Sequence, residues 1–192
     1  MEIKGYKAFS KDHTNRYGMP FEEGKDYHVD GPISFGNNGN GFHMCTHLSD
    51  VFRYFDPEDI DVAEVIGSGK YVVEDVEDWS EPYWDMYVVS DIHIGRFLNR
   101  EEIIDIMKDA SSSDIIKFFA TSNPTKDEGL QLVSHNQGKD RHDKVISAYM
   151  YYIEGVNVYG YTPEEREKII KGVIDNGQDN NQGSERKQLK KC

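Results

Sequence analysis

Two histidines and a cysteine alternate within one short stretch of the sequence, GNGFHMCTHLSDVFRYF. His43, Cys45 and His47 are spaced two residues apart, and side chains at i, i+2 and i+4 of a β-strand point to the same face. Imidazole nitrogen and thiolate sulfur are ligands that suit Zn²⁺ in proteins. The spacing therefore raises the question of a metal site, against the alternative that the strand only packs.

The residues that follow Cys45 limit how many ligands one face could supply. Thr46 can cap a helix, and apolar residues then recur with the spacing of one helical face at Leu48, Val51, Phe52 and Phe55. We therefore predict that the strand ends at Thr46 and that His47 belongs to the helix. Only His43 and Cys45 then remain on a common face.

The pair His43 and Cys45 supports two kinds of chemistry and one structural role. As metal ligands they would need partners from elsewhere, and His28 and His93 are the candidates. As a nucleophilic pair they lack any recognisable motif for an oxyanion hole or an orienting carboxylate. The favoured prediction is no metal and no cofactor, with both residues semi-buried on a core strand.

The negative charge of the chain is concentrated in one quarter of it. The net charge is −13, and residues 55–100 hold 12 acidic and 3 basic residues, a net charge of −9. Duplex and single-strand binding draw on clustered Lys and Arg, so direct nucleic-acid binding is not expected. A protein partner, basic in character, is the predicted ligand, with simple solubility or a bound cation as alternatives.

Within that block, acidic and aromatic residues are interleaved, a composition that suits a partner-binding surface. The carboxylates could instead line a solvated sheet edge or do acid–base work, and the aromatic rings could close one end of the core. The predicted partner-binding residues are Glu74, Asp75, Glu77, Asp78, Trp79 and Trp84.

Composition indicates a globular chain without a membrane anchor. The 192 residues are 37% hydrophobic, and no apolar run approaches the roughly 18 residues of a membrane span. The N-terminal residues lack the pattern of a signal peptide, so a cytoplasmic location is expected. Two cysteines, Cys45 and Cys192, do not make a disulfide framework.

The periodicities predict an α+β fold, with an antiparallel or mixed sheet and one short helix, followed by a helical C-terminal region. Alternating patterns indicate strands up to residue 98, with glycines at 67 and 69 marking a turn between two of them. Asn99 begins a helix with a capping box, and further helices follow, whereas the stretch NPTKDEGLQLVSHNQGKD reads as mostly loop. We predict a mainly β domain over 1–98, a helical region over 99–176 and a polar, disordered tail over 177–192.

The order of five motifs, KGYKAF, GFHMC, SDVFRYF, AEVIGSGK and FLNREEI, resembles an uncharacterised domain found in many bacteriophage and bacterial proteins. The resemblance covers about residues 3–107, and Gly-Phe-His-x-Cys is its most specific element. It implies that His43 and Cys45 belong to a family pattern while His47 does not, and it brings no assigned activity. A non-enzymatic phage or prophage accessory protein, acting in the host cytoplasm and binding a host or viral protein, is the expected function.

A fainter similarity in layout links GYKAF and the GFHMC strand–helix unit to ADP-ribosyltransferase-like folds. In those folds a first strand bears an aromatic or basic residue near the nicotinamide, and a Gly-aromatic strand runs directly into a helix. The resemblance implies that Tyr6, Lys7, Phe42 and His43 would face a pocket. The alternative function is therefore a transferase or NAD-binding enzyme, with Tyr6, Lys7 and His43 as catalytic candidates and NAD as cofactor.

Overall fold

The antiparallel sheet lies in the N-terminal half of the chain and most helices lie after it, so the predicted α+β class is confirmed. The computed structural model describes residues 1–14, 18–36, 39–73, 86–158, 160–162, 164–169 and 171–172. The strands are β1 (Ile3–Ser10), β2 (Asp26–His28), β3 (Phe42–Cys45), β4 (Ile60–Val73) and β5 (Met86–Leu98). The helices are α1 (Leu48–Val51), α2 (Arg100–Asp109), α3 (Ser112–Thr121), α4 (Lys126–His135) and α5 (His142–Tyr152).

Four of the strands close into a ring. β1 pairs with β3 and β4, and β5 pairs with the same two strands, so each of these four has a neighbour on both sides. β2 pairs with β5 alone. The ring encloses an apolar core, to which every strand of the ring contributes.

Ring closure depends on two glycines and one methionine. A Cβ on Gly5 would lie 2.2 Å from the carbonyl oxygen of Cys45, so β1 and β3 can approach this closely only at a glycine. The side chain of Met44 fills the space above Gly5 and Gly67, because added Cβ atoms would lie 2.8 Å from its Cε and 2.5 Å from its Sδ. Met44 is 2% exposed, as expected of a flexible thioether that fills an irregular gap.

The first helix differs from its prediction. Phe42 and Met44 take the inner face of β3, and α1 packs against β1, β3 and α3. Its N-cap residue is His47 rather than Thr46, and it spans only Leu48–Val51, without a side-chain hydrogen bond at the cap. The apolar face continues beyond the helix, however, since Phe52 is buried and packs edge-on against Phe118 of α3 at 5.6 Å between ring centroids.

The predicted turn between two strands at Gly67 and Gly69 is wrong, because β4 runs unbroken through both residues. The register between β4 and β5 shifts between Ser68 and Tyr71, and Gly69 takes a φ of 74° there. This is the behaviour of a β-bulge, which absorbs a left-handed residue without ending the strand pairing. The result is a long hairpin of two strands that stay paired to Val73 and Tyr87.

The chain divides into two compact units, residues 1–123 and 124–192. The first unit includes α2 and α3 with the sheet, and α2 begins at the predicted Asn99 cap, with its capping box formed by Glu102. In the second unit α4 occupies part of the stretch predicted as loop. That prediction was wrong because the stretch contains a capping box, Thr125 with Glu128, which the apolar pattern alone did not reveal.

Within the second unit, α5 supplies a fully buried tyrosine, Tyr149, whose ring lies against Gly129 of α4. Its hydroxyl donates to Glu154 at 2.6 Å, and Lys126 pairs with the same carboxylate at 2.8 Å. Thr162 caps a further helical stretch, since its hydroxyl accepts from the backbone N–H of Glu165. The predicted tail, 177–192, lies outside the described residues.

Candidate functional site

The outer end of the β4–β5 hairpin exposes aromatic and aliphatic side chains. Tyr71 and Val72 are 48% and 36% exposed. The rings of Tyr71 and Tyr87 face each other across the hairpin, 6.5 Å apart between centroids and tilted by 43°. Tyr87 is partly buried against the core, and the exposed Tyr71 provides rigid contact area of the kind found at protein interfaces.

The predicted partner-binding residues are joined to this hairpin end. Residues 74–85 connect β4 to β5 and contain six acidic residues, three aromatic residues and no Lys or Arg. The predicted positions, Glu74, Asp75, Glu77, Asp78, Trp79 and Trp84, all lie outside the described residues. The described structure fixes where this segment begins and ends, at Val73 and Met86, beside Tyr71 and Tyr87.

Lys7, one of the alternative catalytic candidates, lies at the inner side of the ring. It shares a face of β1 with Ile3 and Phe9 of the core, and its Nζ donates to the carbonyl oxygen of His43 at 2.9 Å. Burial lowers the pKa of the Lys7 ammonium to about 8, and the nearby Cys45 opposes this shift. The Lys7 ammonium therefore loses its proton more readily than an ordinary lysine does. A hydrogen bond to the backbone of β3 holds its Nζ in place.

Tyr6 points to the opposite side of β1, because neighbouring residues on a strand alternate in direction. It stands opposite Glu64 of β4, which in turn pairs with Arg96 of β5 at 2.9 Å. Burial raises the pKa of the Tyr6 phenol, as does the charge of Glu64, while Arg96 opposes them. Tyr6 and Lys7 therefore belong to two different surroundings.

His43 and Cys45 lie on the outer face of β3, opposite to Phe42 and Met44. Cys45 is 5% exposed, and its strand position is paired with Tyr6. The imidazole of His43 is half-buried and meets Phe35 edge-on at 5.9 Å between centroids. In the part of the chain that the structure describes, no three His, Cys, Asp or Glu side chains are grouped so as to hold a metal ion.

His47, the third residue of the opening cluster, contacts a buried polar network between α1 and α3. Its Nδ1 lies 3.3 Å from Asp114, whose carboxylate also accepts hydrogen bonds from Ser49 and Ser111. Beside them, the ammonium of Lys117 pairs with the carboxylate of Asp50 at 2.9 Å, and this carboxylate is 1% exposed. The network ties α1 to α3, a role that is structural.

Sequence reasoning also missed a groove on the outer face of the sheet, over β2, β5 and β4. Its volume is about 530 Å³, and two His–Asp pairs line it. His28 Nδ1 lies 2.7 Å from Asp91, and His93 Nδ1 lies 2.8 Å from Asp26. The four residues come from two short stretches 63 to 67 positions apart, so only the strand register could have brought them together.

Among the described residues, no helix is long and apolar enough to cross a membrane.

Comparison with curated proteins and with solved structures gave no match. A family model described as a domain of unknown function, DUF7666, matches residues 3–106. The match spans more than half of the chain and agrees with the range over which the motifs resemble an uncharacterised domain. The chain therefore belongs to the DUF7666 family.

Proposed function

We propose that this protein is a non-enzymatic phage or prophage accessory protein that binds a basic host or viral protein through the end of the β4–β5 hairpin. The observation that carries the proposal is the placement of Tyr71, Val72 and Tyr87. Tyr71 and Val72 are exposed and Tyr87 is partly buried, and all three stand where the acidic and aromatic segment 74–85 joins the two strands. The motif resemblance supports a phage origin.

Charge complementarity supports a basic partner. The block 55–100 carries a net charge of −9, and segment 74–85 contributes six of its acidic residues. A strongly acidic patch steers basic proteins towards it and raises their association rate, an effect that salt reduces. Aromatic side chains at the centre of such a patch supply the desolvated contact area that holds the complex.

The alternative, an NAD-binding or transferase enzyme using Tyr6, Lys7 and His43, has weaker support. Tyr6 and Lys7 point to opposite faces of β1, and Lys7 meets His43 through the backbone carbonyl. A catalytic site needs its groups directed at a common reacting atom. The alternative stays a prediction that labelled NAD, incubated with the protein and with a His43→Ala variant, would test.

The proposal is tested by affinity capture from a bacterial lysate at low and moderate salt, followed by binding measurements with the purified captured protein. We expect Tyr71→Ser, and separately a Trp79→Ala and Trp84→Ala double variant, to weaken binding about tenfold or more, as interface aromatics do. Tyr161→Ser is the matched control, because Tyr161 is 44% exposed and lies in the other compact unit.

Two results would contradict the proposal. One is capture that is insensitive to salt, since the acidic block would then contribute nothing. The other is equal affinity of the Tyr71→Ser and Tyr161→Ser variants for the captured protein, which would place the binding surface elsewhere. Circular dichroism of each variant distinguishes lost binding from lost folding.

A further inference from the structure

The groove over β2, β5 and β4 is built from two rows of paired residues, which lie two residues apart along β5 and on the same face of the sheet. Each row is called a rung below. In the first rung His93 of β5 stands between Asp26 of β2 and Ile66 of β4. In the second rung Asp91 of β5 stands between His28 and Ser68. The two His–Asp pairs thus run in opposite directions across the same two strands, and both lie on one face.

The groove offers an apolar floor with acidic groups around it. Ile66 is only half-buried and lines the groove, while Glu2 lines it from a position preceding β1. Asp26 is 87% exposed, and the His93 contact engages only its Oδ1. Since a carboxylate has two oxygens, the exposed Asp26 side chain keeps the capacity to accept a hydrogen bond from a ligand.

This combination fits a side chain with an aliphatic stem and a cationic head. Lys and Arg lay their methylene stems along apolar surface and keep the charged head among polar groups. Arg suits carboxylates best, because its planar guanidinium donates several hydrogen bonds in a fixed arrangement. A volume of about 530 Å³ accommodates more than one such side chain.

We propose that this groove binds arginine side chains of the basic partner and that protonation of His28 weakens that binding. The inference rests on the proposed function, since it names the chemistry by which the same partner is recognised at a second place on the hairpin strands. Asp26 and Glu2 receive the guanidinium groups, and Ile66 receives a stem. His28, clamped between two carboxylates, sets the charge of the groove.

The pH dependence follows from the neighbours of His28. Hydrogen bonds to Asp91, and then to Asp30, raise the pKa of the His28 imidazole. As pH falls through this pKa the imidazole gains a positive charge, which opposes a cationic ligand. The other charged or titratable groups around the groove are Glu2, Lys4, Asp26, Tyr27, Lys70 and His93.

The direct test uses a fluorescein-labelled hexa-arginine peptide and the full chain, with fluorescence anisotropy at low salt. We expect Asp26→Asn and Glu2→Gln each to raise the dissociation constant about three- to tenfold, as loss of one solvent-exposed hydrogen bond does. Glu58→Gln is the matched control, because Glu58 is an exposed acidic residue outside the groove and its replacement changes the net charge equally. Equal effects of all three variants would overturn the inference.

The effect of His28 protonation is tested by comparing peptide affinity at about pH 8.5 and about pH 6, since arginine keeps its charge over this range. We expect several-fold weaker binding at the lower pH, and a smaller ratio in His28→Gln. By reciprocal linkage, the bound peptide must lower the pKa of His28, which NMR titration of its ring protons measures. A His28 titration unmoved by saturating peptide would refute the assignment.

The outcome also separates this inference from the proposed function. If Tyr71→Ser abolishes capture of the partner while Asp26→Asn and Glu2→Gln bind both peptide and partner like the Glu58→Gln control, the groove assignment fails and hairpin binding stands. If the hairpin variants keep full affinity while the groove variants lose it, the groove is the binding site and the hairpin end is not. If Glu58→Gln weakens peptide binding as much as Asp26→Asn and Glu2→Gln do, the effect is one of net charge only, and the groove assignment fails.

Discussion

Replacement of Lys7 by methionine is expected to stabilise the protein at neutral pH. Folding moves this ammonium to the inner side of the ring and lowers its pKa from 10.5 to about 8. A difference of about 2.5 in pKa corresponds to about 3 kcal/mol of preference for the neutral form. Below about pH 8 the folded protein therefore carries a charge that burial disfavours and that the unfolded chain hydrates freely.

The sign of the pH dependence follows from proton binding. Between about pH 8 and 10.5 the unfolded chain binds more protons at Lys7 than the folded protein does, so the free energy of unfolding rises with pH in this range. Lys7→Met removes this rise. We expect a gain of about 1–3 kcal/mol at pH 7 rather than the full amount, because methionine cannot donate to the His43 carbonyl and Lys7 is only partly buried.

Urea denaturation of the wild type and Lys7→Met at a series of pH values measures this difference directly. Lys4→Met is the control, because Lys4 is exposed on the same strand. The difference between Lys7→Met and wild type must shrink as pH rises, whereas that for Lys4→Met must stay constant. A stability difference for Lys7→Met that does not change with pH would refute the burial of this charge.

Three further changes test the packing of the fold, each by urea denaturation. Gly5→Ala is expected to cost more than about 3 kcal/mol because its Cβ meets a backbone oxygen that cannot move aside, whereas Gly172→Ala, in an open helical position, is expected to cost nothing. Lys117→Met is expected to cost about 3–5 kcal/mol by leaving the Asp50 carboxylate buried without its ammonium partner, and a second change, Asp50→Asn, is expected to recover most of that loss. Thr125→Ala is expected to cost about 1 kcal/mol through loss of the α4 cap, and an unchanged unfolding midpoint would contradict that capping box.

The family motifs combine packing and chemistry in a way that the residue types alone do not separate. Gly5, Met44 and Gly67 lie in or beside the motifs that carry the resemblance, and the structure shows all three at the closure of the ring. Cys45 looked like a ligand by type, yet it is buried beside that closure. His43 and His47, which the spacing grouped with it, contact Phe35 and Asp114 respectively.

Some local features could be predicted because they depend on neighbours in the chain. The Asn99 capping box forms as expected, since all its partners lie within three residues. Two other local predictions were wrong. Gly69 lies in a bulge rather than a turn, because β4 and β5 stay paired on both sides of it. Residues 126–135 form α4 rather than a loop, because Thr125 and Glu128 cap a helix whose apolar pattern is weak.

The sequence by itself determined the α+β class and the start of α2 at Asn99, because alternation, periodicity and capping act over a few residues. It also determined where the negative charge is concentrated, since charge is a property of composition. Only the tertiary structure decided that four strands close into a ring and that the Lys7 ammonium is partly buried at its inner side. It alone brought Asp26 and His28 opposite His93 and Asp91. The physical reason is strand register, which joins residues more than 60 positions apart and is set by the packing of the whole core.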